Sequence, residues 1–213
     1  MRPPDKRELA NCLAWKKIRC YNNKNAKFGR KPMKTLMHIC CAPCANQPIE
    51  SLREEGIEVS GFWYNPNIHP FTEYRERRNC LRAYAEIIKL PLIERDDYGL
   101  RPFVREVAED ISGRCVKCYE MRLLETARQA KELGYDSFTS SLFISPYQNH
   151  ELMKEVALRA ADAYGVKFLY RDFRPLFKAG QEKARELEMY IQKFCGCIFS
   201  EQERYLKAKK IIP

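Results

Sequence analysis

Apolar and polar positions along the chain switch between the two-residue period of strands and the 3.6-residue period of helices. Five short apolar runs predict strands, and segments with helical spacing separate them. The predicted strands lie in KTLMHIC, IEVSGFWYN, PLIERDDY, DSFTSSL and VKFLYRDF. Strands that alternate with helices indicate an α/β fold, a Rossmann-like parallel sheet of about five strands with helices on both faces.

Cysteine-rich loops follow the predicted strands, beginning at the end of the first one. The stretch MHICCAPC places Cys40, Cys41 and Cys44 where that strand ends. Because ligands of parallel sheets bind beyond the carboxyl ends of the strands, we expect the active site there. A second pair, Cys115 and Cys118, opens the predicted helix CVKCYEMRLLETARQAKELG.

Ten cysteines are many for a chain of 213 residues that begins MRPPDKRELANC, a start without the apolar core of a signal peptide. No apolar run approaches the roughly 20 residues needed to cross a bilayer. We therefore expect a cytoplasmic protein without membrane contact. Reducing conditions disfavour a structural disulfide framework, so clustered cysteines indicate metal or redox chemistry.

The basic residues are concentrated near the start of the chain. The formal net charge is +10, and no Asp or Glu occurs from Leu9 to Ile49. This distribution favours a polyanionic partner such as nucleic acid, the alternative being a solvated basic tail. We assign residues 1–33 to a basic N-terminal extension and residues 34–213 to a single domain.

The spacing of the first two cysteine groups predicts an inorganic cofactor. In a turn, the adjacent thiolates of Cys40 and Cys41 can reach different irons of an iron–sulfur cluster. Cys115 and Cys118 face the same side of a helix and would complete a four-thiolate set. The helix N-terminus should lower their pKa values and favour thiolate. Taken alone, this pair also fits half a zinc site or a redox pair.

The remaining cysteines have less specific spacings. Cys195 and Cys197 are separated by one glycine and could form a strained, labile disulfide suited to catalysis, or bind zinc. Cys44 is either a ligand for a second, single metal or a small apolar residue in the loop. Cys80 is expected in the core, inside a long helix.

Several long stretches resemble one protein family. They are MHICCAPC, GFWYNPNIHP with FTEYRERR, SGRCVKCYEMRLLETA, SFTSSLFISPYQN, GVKFLYRDFR and QKFCGCIFS, and they cover nearly everything from Lys34 to Glu203. On these residues the chain resembles the epoxyqueuosine reductases of the QueH type. The fold of that family resembles the adenine-nucleotide hydrolase type of Rossmann-like sheet.

The resemblance implies the last step of queuosine biosynthesis, the reduction of epoxyqueuosine at the wobble position of tRNA with a GUN anticodon. It implies an unidentified electron donor and no cobalamin. The implied site is a 4Fe–4S cluster on Cys40, Cys41, Cys115 and Cys118 with a redox-active disulfide between Cys195 and Cys197. Some members carry Asp at the position of Cys44, near a lone iron, so a second iron at Cys44 is a further expectation.

Contacts to tRNA are expected from basic and aromatic residues. Phosphate contacts, which depend strongly on salt, are expected from the extension and from Arg75, Arg77, Arg78 and Arg82. Phe62, Trp63 and Tyr64 could stack on unpaired anticodon bases or simply pack the second strand.

Two other functions remain as alternatives. One is a cluster-dependent tRNA thiolase of the same fold that uses ATP. It is disfavoured because the first loop, CCAPCAN, lacks the glycines of a phosphate cradle. The other is a zinc-stabilised RNA-binding protein without catalysis, which would hold zinc in place of iron and sulfide.

Overall fold

The computed structural model describes residues 32–206 and confirms the α/β fold. Its strands are β1 (Lys34–His38), β2 (Glu58–Trp63), β3 (Leu92–Glu94), β4 (Ser137–Ser140) and β5 (Lys167–Phe168). They form one sheet in the order β3-β2-β1-β4-β5, and all neighbours are parallel. The carboxyl end of β1 therefore lies in the middle of the sheet edge where ligands bind.

Helices surround this sheet. They are α1 (Ala42–Glu54), α2 (Phe71–Ile87), α3 (Leu100–Val107), α4 (Arg114–Glu132), α5 (His150–Tyr164), α6 (Phe177–Glu186) and α7 (Ile198–Tyr205), with 3₁₀ segments at Ser141–Ile144 and Arg174–Leu176. Right-handed crossovers place α1 and α2 on one face of the sheet and α4 and α5 on the other. The contacts agree with this arrangement, because α4 packs on α5 and α1 packs on α6.

The central strand β1 is buried on both sides because strands flank it and helices cover it. Leu36 and Met37 have no solvent exposure. Thr35 is also buried, and its hydroxyl shares a 2.6 Å hydrogen bond with that of Ser137 on β4. A strand enclosed in this way has a continuous apolar sequence. It holds the start of the cysteine loop in a fixed place.

The first helix begins earlier than the sequence pattern predicts. The apolar spacing predicts a start near Asn46, whereas α1 starts at Ala42, directly after Cys41. Pro43 is compatible with this start because the first turn of a helix needs no backbone donor. Cys44 consequently lies in the first turn of α1 and not in a loop.

Two other boundaries differ from the prediction. The predicted strand VKFLYRDF forms ladder pairs only at Lys167–Phe168, because it lies at the sheet edge. One further bond follows, from the Leu169 N–H to the carbonyl of Phe138 at 2.8 Å. The helix predicted from Gln181 to Tyr190 lies at Phe177–Glu186, so the chain after it has no regular structure before α7.

Within residues 32–206, no helix has the length and apolar character required to span a bilayer. Nearly all of the predicted N-terminal extension, residues 1–31, lies outside the described residues.

Candidate functional site

The first cysteine group forms a compact cluster at the carboxyl end of β1. Cys40 lies in the bend after the strand, Cys41 is the N-cap of α1, and Cys44 lies in the first helical turn. Their three Sγ atoms lie within 4.8 Å of one another, and the Sγ atoms of Cys40 and Cys41 are 3.8 Å apart. All three side chains are buried. We call these three residues the thiol triad.

The surroundings of the thiol triad favour one negative charge. The N-terminus of α1 begins at the triad, and no side chain caps its free N–H groups. Hydrogen bonds from Cys41 and Cys44 hold the pKa of Cys40 well below its usual range, and the Arg77 guanidinium adds to this effect. Burial raises the pKa of Cys41. Cys40 is therefore the thiol of the triad that loses its proton most readily.

The second cysteine pair lies in the first turn of α4, with Cys115 exposed and Cys118 buried. The Sγ of Cys118 accepts hydrogen bonds from Nδ2 of Asn67 at 3.2 Å and from Nη2 of Arg122 at 2.7 Å. Burial nevertheless raises the pKa of Cys118 to about 12, and burial also raises that of Cys115. The expected lowering of both pKa values is therefore wrong for the metal-free protein, because desolvation outweighs the helix dipole.

Arg122 connects the second pair with the thiol triad. Its side chain is 3% exposed, donates to Cys118, and interacts electrostatically with Cys40 and Cys195. Burial alone would lower the pKa of Arg122, but attraction by Cys118 and Cys40 outweighs it and raises the pKa. The packing of α4 against β1 brings Arg122 close to the thiol triad. Sulfurs of three distant segments, those of Cys40, Cys118 and Cys195, therefore interact with one buried positive charge.

The segment between α6 and α7 brings the third cysteine pair to the same place. Cys195 is exposed and Cys197 is buried, and both are free thiols. Gln192 donates through Nε2 to Cys44 Sγ over 3.3 Å. Burial is the main cause of the raised pKa of Cys118, and the charges of Cys195 and Cys197 contribute to it. The third pair therefore lies beside the second.

The donor set fits a soft metal ion or an iron–sulfur cluster, because thiolates select such groups over cations that prefer oxygen. Asn67 and Gln192 are two of the amides that donate N–H groups to sulfurs of the site. Their oxygens, Oδ1 and Oε1, are buried and have no hydrogen-bond partner among the residues described. Buried polar atoms left in this way indicate that a further group completes the site.

The histidines are buried. His38 shares hydrogen bonds through its ring with Asn65 and neighbouring groups, and burial lowers its pKa to about 3, so the ring is neutral. Nε2 of His150 lies 2.9 Å from the hydroxyl of Tyr170. His69 packs its ring against aromatic side chains. Cys80 is buried in α2, as the sequence predicts.

Most residues suggested for RNA contact are buried or form ion pairs within the protein. Phe62, Trp63 and Tyr64 are buried, which supports the packing alternative. Arg75, Arg78 and Arg82 form surface ion pairs with Glu76, Asp96 and Glu94. Arg77 is buried and paired with Glu73, so it is not placed to contact phosphate.

Sequence reasoning missed the polar residues that contact the sulfurs. Four of them are Asn67, Arg122, Gln148 and Gln192. A signal existed for Arg122, which follows Cys118 by four residues on one helix and therefore shares its face. The other three lie in loops of different segments, and no local spacing connects a loop amide to a distant sulfur.

Comparisons with known proteins agree with the resemblance seen in the sequence. The model of the family described as epoxyqueuosine reductase QueH matches residues 35–203. An epoxyqueuosine reductase QueH from Dehalococcoides mccartyi is 39% identical over 174 residues, which are 82% of this chain and 96% of that protein. The protein of the same name from Acinetobacter baylyi is 36% identical over 175 residues, 78% of this chain and 80% of that protein. The one from Thermotoga maritima is 32% identical over 186 residues, 83% of this chain and 94% of that protein.

Proposed function

The chain belongs to the QueH family of epoxyqueuosine reductases, which are oxidoreductases, and we propose that it reduces epoxyqueuosine to queuosine in tRNA, the last step of queuosine biosynthesis. The observation that best supports this proposal is the thiol triad at the carboxyl end of β1, with the other two cysteine pairs grouped around Arg122. Reduction of an epoxide to an alkene removes one oxygen atom as water and requires two electrons and two protons. A site of closely spaced thiols suits that requirement.

We propose that Cys40, Cys41, Cys115 and Cys118 hold a 4Fe–4S cluster. When bound, the cluster would pass single electrons, and because four thiolates would fill its four irons, the Lewis-acid role on the epoxide oxygen would fall to the separate iron proposed at Cys44. The charge of Arg122 and the N-terminus of α1 would balance the negative charge of the thiolates. Because the pKa of Cys118 is about 12 in the metal-free protein, binding must displace its proton.

Cys44 is the proposed ligand of a second iron. Its Sγ lies within 4.8 Å of those of Cys40 and Cys41, and Gln192 donates to it. A thiolate in place of a carboxylate would change the geometry and the potential of such an ion.

Cys195 and Cys197 are the proposed two-electron store. When the two thiols form a disulfide, they release two electrons and two protons, which together with the epoxide oxygen yield one water. Gln148 Nε2 donates to Cys195 Sγ over 3.1 Å, and the Tyr119 hydroxyl donates to Gln148 Oε1 over 2.7 Å. The second bond fixes which end of the amide faces the sulfur, so Tyr119 and Gln148 orient Cys195. A separate electron donor must then reduce the disulfide.

The tRNA substrate follows from the family, and the finer assignments are proposals. We propose that residues 34–213 form the single reductase domain and that residues 1–33, the basic extension, contact the phosphates of tRNA with a GUN anticodon. Such contacts would make binding strongly dependent on salt. We expect the reaction in the cytoplasm, where reducing conditions disfavour a structural disulfide framework among the ten cysteines of the chain.

The test is anaerobic reduction of tRNA that contains epoxyqueuosine, with a chemical reductant and without ATP, followed by nucleoside mass spectrometry. The proposal predicts conversion to queuosine by the wild type and by Cys80→Ala, in which the altered cysteine lies in the core of α2. Loss of the epoxide signal without formation of queuosine would contradict it. Incorporation of sulfur that requires ATP would also contradict it and would favour the thiolase.

A further inference from the structure

One arginine of α2 is buried, and each of its three guanidinium nitrogens donates a hydrogen bond. Arg77 is 1% exposed and donates through Nε to Glu73 Oε1 over 2.7 Å. It donates through Nη1 to the carbonyl of Cys195 and through Nη2 to the carbonyl of Phe194, both over 3.0 Å. The other carboxylate oxygen of Glu73 accepts a hydrogen bond from the Tyr190 hydroxyl. Arg77 and Glu73 thus hold the segment between α6 and α7 at two places, and we call these contacts the Arg77 latch.

The backbone at Gly196 is fitted to the Arg77 latch. A Cβ at Gly196 would lie 3.3 Å from Nη1 of Arg77 and 3.3 Å from a side-chain carbon of Ile68. The φ angle of Gly196 is +149°, which side chains rarely adopt. Its carbonyl accepts a 2.7 Å hydrogen bond from the N–H of His69. A side chain at this position would be strained and would crowd the guanidinium of Arg77, so the glycine between the two cysteines suits this close approach.

The same guanidinium also faces the thiol triad. Burial alone would lower the pKa of Arg77, but attraction by Cys41, Glu73 and Cys40 outweighs it and raises the pKa. One side chain therefore bonds the backbone that carries Cys195 and interacts with two sulfurs of the triad. Together with Gln192, which donates to Cys44, and Arg122, which interacts with Cys40 and Cys195, it connects these two parts of the site.

We propose that Arg77 is the positioning residue of the Cys195–Cys197 loop and that it fixes the place of these two thiols beside the second cysteine pair, relative to the thiol triad. This rests on the proposed function, in which the two thiols supply the electrons. Lysine keeps the charge but cannot replace the guanidinium, because one ammonium cannot bond Glu73 and two separate carbonyls in the planar geometry seen here.

The experiment compares full-length, anaerobically prepared wild type with Arg77→Lys, Tyr190→Phe and the control Arg53→Lys. Arg53, at the end of α1, also donates to a carbonyl, that of Ile88 at 3.0 Å. This contact does not involve the Cys195–Cys197 loop. Each protein is treated with iodoacetamide, and peptide mass spectrometry follows the alkylation of Cys195 and Cys197 separately. Steady-state kinetics with epoxyqueuosine-containing tRNA give kcat and KM.

In the wild type, exposed Cys195 should react and buried Cys197 should be protected. Arg77→Lys should raise the alkylation rate of Cys197 relative to Cys195 by about tenfold or more and lower kcat by a similar factor, because charge-assisted hydrogen bonds are lost. KM should change less than about twofold, since Arg77 does not reach the surface. Tyr190→Phe removes one bond of the Arg77 latch and should show smaller changes in the same direction.

Wild-type protection of Cys197 and wild-type kcat in both Arg77→Lys and Tyr190→Phe would overturn the proposal. If Arg77→Lys does not fold, Tyr190→Phe decides between the two results. The failure of the proposed function would look different, because the wild type would then form no queuosine, or would form it without oxidation of Cys195 and Cys197. The alkylation pattern of the variants would still report whether Arg77 positions the loop.

Discussion

The buried charge of Arg122 should decide how tightly the site retains iron. Its Nη2 lies 2.7 Å from Cys118 Sγ, its side chain is 3% exposed, and it interacts with Cys40. Leucine at this position suits a helix and fills part of the same space, but it offers neither donor nor charge. Arg122→Leu therefore removes one charge-assisted hydrogen bond and leaves the thiolates without that counter-charge.

The magnitude follows from the bond that is lost. A hydrogen bond to a charged group contributes about 1.5–3 kcal/mol, and about 1.4 kcal/mol corresponds to a factor of ten in an equilibrium constant. The chelator concentration that removes half of the iron should therefore fall by about 10- to 150-fold. The matched control is Arg128→Leu on the same helix, because Arg128 forms surface ion pairs with Glu125 and Glu132.

The assay is a chelator titration of the anaerobically reconstituted protein, followed by cluster absorbance and released iron. Circular dichroism of the metal-free variants separates loss of fold from loss of iron. If folded Arg122→Leu retained iron as strongly as Arg128→Leu and the wild type, Arg122 would not stabilise a ligand of the cofactor, and the reasoning from the Cys118 contact would be refuted.

Three further predictions concern single side chains. Cys115→Ala should lose the cluster absorbance while Cys80→Ala keeps it, and an intact spectrum in Cys115→Ala would exclude the proposed ligand set. Cys195→Ser should keep near-normal cluster absorbance but lose turnover, whereas full multiple turnover would remove the dithiol from the mechanism. Burial lowers the pKa of His69 to about 4, so the wild type should lose unfolding free energy as the pH falls from 6.5 toward 4, because only the unfolded chain readily takes up that proton. Urea unfolding at pH 7 and pH 5 should show a smaller loss for His69→Leu, and equal losses would count against this assignment.

The sheet could be predicted because its signals are local. The period of apolar residues identifies each strand and helix, and the carboxyl ends of parallel strands meet at one edge. The prediction that Cys40 and Cys41 lie at that edge is confirmed. The start of α1 was missed because a helix N-terminus rich in cysteine has a weak apolar pattern. The short length of β5 was missed because the length of an edge strand depends on its one neighbouring strand.

The polar framework of the site could not be predicted, because it joins segments far apart in sequence. From the sequence, Arg77 is expected to be an exposed arginine of α2. Its burial depends on the distant segment whose carbonyls, those of Phe194 and Cys195, accept its hydrogen bonds. The segment that carries them has no regular structure, so no periodicity indicates where it lies. Gln148 and Gln192 belong to loops as well, and their donation to sulfur depends on tertiary packing alone.

The most direct test of the central claim, that thiolates of distant segments share one iron–sulfur cofactor, is the analysis of iron, zinc and acid-labile sulfide in the anaerobically reconstituted full chain. The account predicts a brown protein with about four sulfides per chain and at least as many irons. A colourless, folded protein that holds zinc and no sulfide would contradict it.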